Sequence, residues 1–250
     1  MTMSRHRRLP SYTAAVVPQR SPLRIVGAIS SACTAVGMVV FSVLHAGPRR
    51  GDTVRFLEDL ADTPLWLLDL LGIALTGLTG VLALHVIVLT LADPRGRALG
   101  RASALAALLG GAVLLVNACI DGPVLHDLAA RWPNVTGGDR VALLTTAETF
   151  RQLDVVTFTM WMLVLTGVAP LLVGCGQLLD PAWPAWAAWP AILGGLLAGA
   201  TGIAQWFTGL FHAGVFVLFP VASALLAAWF GLSTVLLWRS VSLHDPPPQS

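Results

Sequence analysis

Six long apolar runs, separated by short polar breaks, make up most of this chain. A bilayer core of about 30 Å takes roughly 20 helical residues to cross. The runs at 25–46, 64–92, 102–124, 153–176, 190–207 and 213–238 meet or approach that length. The pattern predicts an all-α fold: a polytopic transmembrane helix bundle of six spans over 25–239. It is flanked by a disordered basic tail (1–24) and a disordered C-terminal tail (240–250). The first run is long for a signal-peptide core and no A-x-A site closes it, so it reads as an anchor.

The breaks carry local signals. Residues 47–63 contain a short amphipathic pattern, with Val54, Leu57, Leu60 and Ala61 apolar against Arg55, Glu58, Asp59 and Asp62, which suits a helix lying at the bilayer interface. Thr63 followed by Pro64 predicts an N-cap and first helical position for the second span. Asp93-Pro94 ends that span, and Arg95, Arg97 and Arg101 crowd the loop after it. Residues 131–138 read as a loop. Asp139 then caps a helix that can run straight into the fourth span. Trp183, Trp186 and Trp189 resemble an interfacial aromatic anchor, and a tight turn at 209–214 joins the last two spans. Gly195 and Gly199 form a small-xxx-small pair that permits close helix contact, and no internal repeat of the kind built into many carriers is visible.

Composition agrees with this class. Of 250 residues, 56% are hydrophobic and 11% charged, less than half the charge of a soluble domain, and the mean hydropathy is +0.76. All 15 basic residues are arginine, which fits a GC-rich, bacterial coding sequence. Arg5, Arg7, Arg8, Arg20, Arg24, Arg95, Arg97, Arg101 and Arg239 fall on one side of six spans; Arg49, Arg50, Arg55, Arg131, Arg140 and Arg151 fall on the other. The positive-inside bias therefore places the N and C termini in the cytoplasm and the chain in the plasma membrane as a multi-pass protein. A net charge of +2 without a basic, aromatic-rich patch gives no case for nucleic acid. Cys33, Cys119 and Cys175 form no CxxC pair, so neither a zinc site nor a disulfide framework is indicated.

Candidate chemistry concentrates in the outer half. Asp69 lies early in the second span, Asn117 and Asp121 late in the third, and Asp154 at the start of the fourth. Helical spacing puts Asn117 with Asp121 on one face, and Arg151, Asp154, Phe158 and Trp161 on another. Thr201, Gln205, Thr208 and His212 make a polar stripe in the fifth span. Polar groups in hydrocarbon are costly and face an interior, a cavity or one another. Each carboxylate taken singly reads as an interfacial charge about 12–14 Å from the midplane; taken as a set, they outline an outer cavity. Arg151 with Asp154 reads as a local ion pair, His85 as a packing histidine, and the aromatics Phe158, Trp161 and Trp229 as core or as the lining of a pocket.

The chain has no GxGxxG, Walker lysine, HExxH or GxSxG motif, and no DDxxD cluster for a magnesium-bound diphosphate. His45, His126 and His212 with Asp121 lack ligand-pair spacing, so no metal and no cofactor are expected. In its Asp62-Thr63-Pro64-x-Trp66 opening of the second span and in Asp121-Gly122, the chain resembles small six-helix integral membrane proteins of actinobacteria, a resemblance that implies no activity. In size, apolarity, embedded carboxylates and interior aromatics it looks, more loosely, like the integral membrane terpene cyclases. These protonate an olefin or epoxide with a carboxylic acid in an aromatic cavity, without a metal; no diagnostic motif matches, and better-known members have seven spans.

Two functions follow as expectations. One is an enzyme acting on an isoprenoid or lipid tail from the bilayer. Asp121, then Asp69 and Asp154, would be the acids, and Asn117, Phe158, Trp161, Gln205, His212 and Trp229 would line the substrate. The alternative is a non-catalytic carrier, sensing or accessory subunit.

Overall fold

The structure, a computed structural model, describes residues 21–44, 52–208 and 213–242. The remaining tail residues, His45 and His212 lie outside the described residues, as does most of the predicted turn at 209–214. Nine α-helices are present among the described residues: α1 (Ser21–Leu44), α2 (Thr53–Ala61), α3 (Trp66–Thr90), α4 (Pro94–Cys119), α5 (Leu125–Arg131), α6 (Gly137–Trp161), α7 (Ala169–Leu179), α8 (Ala185–Thr208) and α9 (Ala213–Ser242). There is no strand among them. Two wider π-helical stretches, Ile120–Val124 and Met162–Val168, join α4 to α5 and α6 to α7 without a break.

Six continuous helices are long and apolar enough to cross a membrane. Two of them, Pro94–Asn134 and Gly137–Leu179, run to 41 and 43 residues, about 60 Å each and twice a hydrocarbon core. The spans close into a ring in which α1 packs on α3, α3 on α4, α4 on α7, α7 on α8, α8 on α9 and α9 back on α1. Close approach rests on glycine. A Cβ on Gly195 would lie 2.7 Å from the Gly167 carbonyl oxygen, and one on Gly96 2.8 Å from that of Gly176. The Gly195/Gly199 pair therefore serves contact inside this chain.

Beyond one end of the ring, α2, α5 and the first half of α6 form a cap with its own core, in which Phe56, Leu57, Leu60, Leu125, Leu128 and Trp132 are buried. The apolar face of α2, expected against lipid, is covered by protein. Two cations brace the cap: Arg140 lies 4.1 Å from the Trp132 ring centroid and Arg151 4.6 Å from that of Phe56.

Several boundaries move. Helix α1 begins at Ser21 rather than at residue 25, and α9 continues past Arg239 to Ser242. Asp93 does not merely end α3: its carboxylate accepts from the Arg95 and Gly96 amides and caps α4, so Arg95, Arg97 and Arg101 sit in the opening turns of a helix, not in a loop. Thr63 does not cap α3, because its hydroxyl donates to the Asp59 carbonyl at the end of α2, and α3 starts at Trp66. Helix α6 starts at Gly137, ahead of Asp139, where Gly137 takes φ +57°. His85 is exposed on the outer face of α3 rather than packed, and Trp183 is buried while Trp186 and Trp189 are exposed.

Candidate acidic site

The site begins with proline. Pro123 lies within the first wide stretch and Pro170 two residues beyond the second. Each lacks an N–H for the carbonyl four residues back and crowds it, and a wider turn relieves both problems. Such π segments recur at functional sites. In the second, the Thr166 hydroxyl takes up the Met162 carbonyl at 2.6 Å.

Asn117 stands one turn before the first wide stretch and is buried. Its amide donates to Asp154 Oδ1 at 2.6 Å and to Thr157 Oγ1 at 3.1 Å, while its oxygen accepts from the Trp161 indole at 3.0 Å. Asp154 is thus held by a side chain of a neighbouring helix. Arg151 also reaches the cap, where it donates to Thr53 Oγ1 at 3.0 Å, while its charge still attracts that of Asp154. Asp121 sits in the wide stretch itself, four residues beyond Asn117. Its carbonyl accepts from the Trp66 indole at 2.9 Å, which pins the stretch to the start of α3, one turn from Asp69. With the Asp121 stretch tied to the start of α3 and Asp154 tied to α4 through Asn117, the three carboxylates lie toward one end of the bundle, where the ring joins the cap.

Aromatic side chains lie beside them. Phe158 and Trp161 meet edge to face with centroids 5.0 Å apart, and Phe219 of α9 is 6.5 Å from Phe158. Gln205 and Thr201 are buried along the inner face of α8, and Gln205 Oε1 has no hydrogen-bond partner among the described residues. Trp229 belongs elsewhere: it is buried and donates to Gln177 Oε1 at 3.1 Å, close to the far end of α7. Gln177 lies about 35 Å along the helix from Asp154 at 1.5 Å per residue, so Trp229 stands toward the other end of the bundle from that acid.

Sequence reasoning missed the parts that depend on tertiary contact: Trp66 on the Asp121 carbonyl, Thr157, and Arg151 on Thr53. The proline spacing was the available signal for the two wide stretches. Among the described residues no three His, Cys, Asp or Glu side chains are grouped to hold one metal ion. Neither of two recesses in the bundle is lined by Asp69, Asp121 or Asp154. One is an apolar groove of about 490 Å³ between α1 and α9, lined by Ala35, Val39, Ala224 and Ala228; the other is a small recess of about 120 Å³ near Arg24, Thr90, Trp183 and Leu237. Compared with known proteins, the chain matches no family model, no curated protein and no solved structure.

Proposed function

We propose that this chain is a multi-pass protein of the plasma membrane, both termini cytoplasmic, whose acidic site does metal-independent proton chemistry on an isoprenoid or lipid tail entering from the bilayer. The gathering of Arg24, Arg95, Arg97, Arg101 and Arg239 at the end away from the acids supports that orientation. The observation that carries the activity is the placing of Asp69, Asp121 and Asp154 at one end of the bundle, with Asn117 linking Asp154 to the Trp161 indole. In this terpene cyclase-like reading, a protonated carboxyl gives its proton to an olefin carbon or epoxide oxygen. The resulting cation moves along aromatic faces, and loss of a proton from a neighbouring carbon returns it to a carboxylate. The substrate is isomerised and nothing else is consumed. Asn117 is a positioning residue for Asp154.

The test supplies prenylated substrates to membranes carrying the parent, Asp121→Asn, Asp69→Asn or Asp154→Asn. Loss of the acid should slow conversion at least about a hundredfold; three variants that all turn over like the parent would refute the reading. That none of the three acids lines either recess favours a second reading, a non-catalytic carrier, sensing or accessory subunit. A parent that converts no prenylated substrate, in a gene neighbourhood holding a permease or sensor kinase, would select it.

A further inference from the structure

His85 belongs to none of the chemistry above. It is exposed on the outer face of α3, about 7 Å in from the end of that helix, between the exposed Leu82 and Leu89. An imidazole there is costly in hydrocarbon unless it meets a polar partner. What stands beside it follows from the register of α3 on α4. The two helices are joined through Leu91, Ala92 and Asp93 and run antiparallel. A Cβ on Gly111 would meet Val81 Cγ2 at 2.9 Å, and one on Gly100 would meet Val88 Cγ1 at 3.0 Å. Between those two points His85 comes level with Leu105. Arg101 stands one turn nearer the joined ends, and Arg97 one turn beyond it.

Arg97, Arg101, Leu105 and Leu108 follow one another at helical spacing on the exposed side of α4, opposite the buried Ser103, Ala107, Gly110 and Leu114. The two arginines are like charges at i, i+4, which repel. Arg97 donates to the Ala92 carbonyl at 2.8 Å, and neither guanidinium has an ion pair among the described residues. The carboxylates at this end are occupied. Asp93 accepts from the Arg95 and Gly96 amides, and Asp180 accepts from the backbone N–H groups of Ala92, Asp93 and Ala182. A phosphodiester between Arg97 and Arg101 relieves their repulsion and accepts from both forks. The His85 ring, one turn deeper, suits the ester oxygens that follow the phosphate in a glycerolipid. Leu82, Leu105 and Leu108, 45%, 60% and 53% exposed, continue the seam inward as a surface for an acyl chain. Free phosphate would leave that apolar part uncovered. We infer that the outer seam of α3 and α4 binds one anionic phospholipid, its phosphate on Arg97 and Arg101, its ester oxygens on His85 and a chain along the leucines.

Native mass spectrometry of the full chain, released from vesicles holding equal phosphatidylglycerol, phosphatidylethanolamine and phosphatidylcholine, tests this. A retained phosphatidylglycerol adduct is expected, in excess of the other two lipids. Arg101→Gln should reduce it about tenfold, the loss of one charge-assisted contact. His85→Leu, which keeps every arginine, should reduce it about threefold, the loss of one neutral hydrogen bond. Arg239→Gln, at the same end but on α9, should leave it unchanged. Equal retention of the three lipids, or a loss in Arg239→Gln as large as that in Arg101→Gln, would show general attraction to a basic end and overturn the assignment. So would retention in His85→Leu equal to the parent's, or thermal stabilisation by inorganic phosphate equal to that by phosphatidylglycerol. Should Arg101→Gln fail to fold, His85→Leu, which only adds apolar surface on the outer face, decides by itself.

Discussion

Asn117 donates to Asp154 Oδ1 at 2.6 Å while accepting from the Trp161 indole at 3.0 Å, so one buried amide sets both an acid and an aromatic ring. Asn117→Leu keeps the volume and removes both contacts. Two buried polar groups are then left without partners, each costing about 1–3 kcal/mol in a protein interior. Interhelical hydrogen bonds in membranes average nearer 0.6 kcal/mol, because the unfolded-in-membrane state finds other partners. The expected loss is therefore about 2 kcal/mol, read as a lower melting temperature in nanodiscs. A melting curve superimposable on the parent's would mean that the amide does not hold Asp154.

At the other end of the bundle Asp180 takes three backbone N–H groups from two turns. Hydrogen bonds to a charged group contribute about 1.5–3 kcal/mol each, and three made by one side chain do not simply add. Asp180→Ala should cost at least about 3 kcal/mol. Asp180→Asn should lie between it and the parent, because the amide keeps the shape but presents donors where acceptors are needed. Chemical denaturation of the three proteins should give that order; an alanine variant more stable than the asparagine one would contradict the latch.

Glycines in this chain divide by what a methyl group would meet. A Cβ on Gly195 would strike the Gly167 carbonyl oxygen at 2.7 Å and Leu171 N at 2.8 Å, both backbone atoms that cannot swing away. Gly195→Ala should cost about 1–3 kcal/mol by forcing α8 from its neighbour. Gly231, inside α9, has nothing within 4 Å of such a Cβ, and Gly231→Ala should gain up to about 1 kcal/mol of helix propensity. Thermal melts of the pair should therefore shift in opposite directions, and a shared sign would show that packing does not govern the difference.

What the sequence made legible follows from which signals are local. Hydropathy marks the six spans because a lipid-crossing helix needs about 20 apolar residues whatever its neighbours do. Asp93-Pro94 was equally local, yet it reads as the stop of α3 or as the cap of α4, and the structure uses it as the cap. The amphipathic face of α2 was visible but its cover was not, since Leu57 is as apolar toward Leu125 and Leu128 as toward a lipid tail. Which of the helices carrying Asp121, Asp69 and Asp154 are neighbours depends on the order of the ring, and nothing in a single chain states that order. The separation of Trp229 from Asp154 depends on its contact with Gln177, which no spacing reveals.

Ser31 and Ser233 test whether buried hydroxyls in this bundle all act as glue. Helix α1 runs antiparallel to α9: Arg24 meets Ser240, and a Cβ on Gly27 would meet Leu237 at 3.1 Å. Continuing that register by one turn sets Ser31 opposite Ser233 on the packed seam. Both hydroxyls are buried and neither has a hydrogen-bond partner among the described residues, whereas Ser103, also buried, donates to the Ala169 carbonyl at 2.7 Å. An unpartnered buried hydroxyl carries its desolvation cost with no compensating bond. Ser233→Ala and Ser31→Ala should therefore be neutral or stabilising by up to about 1 kcal/mol, while Ser103→Ala should destabilise by about the same amount. The three melting temperatures rank the cases directly. If Ser233→Ala falls as far as Ser103→Ala, the Ser31–Ser233 seam holds a partner such as a bridging water, and the interior between α1 and α9 is wetter than its aliphatic neighbours suggest.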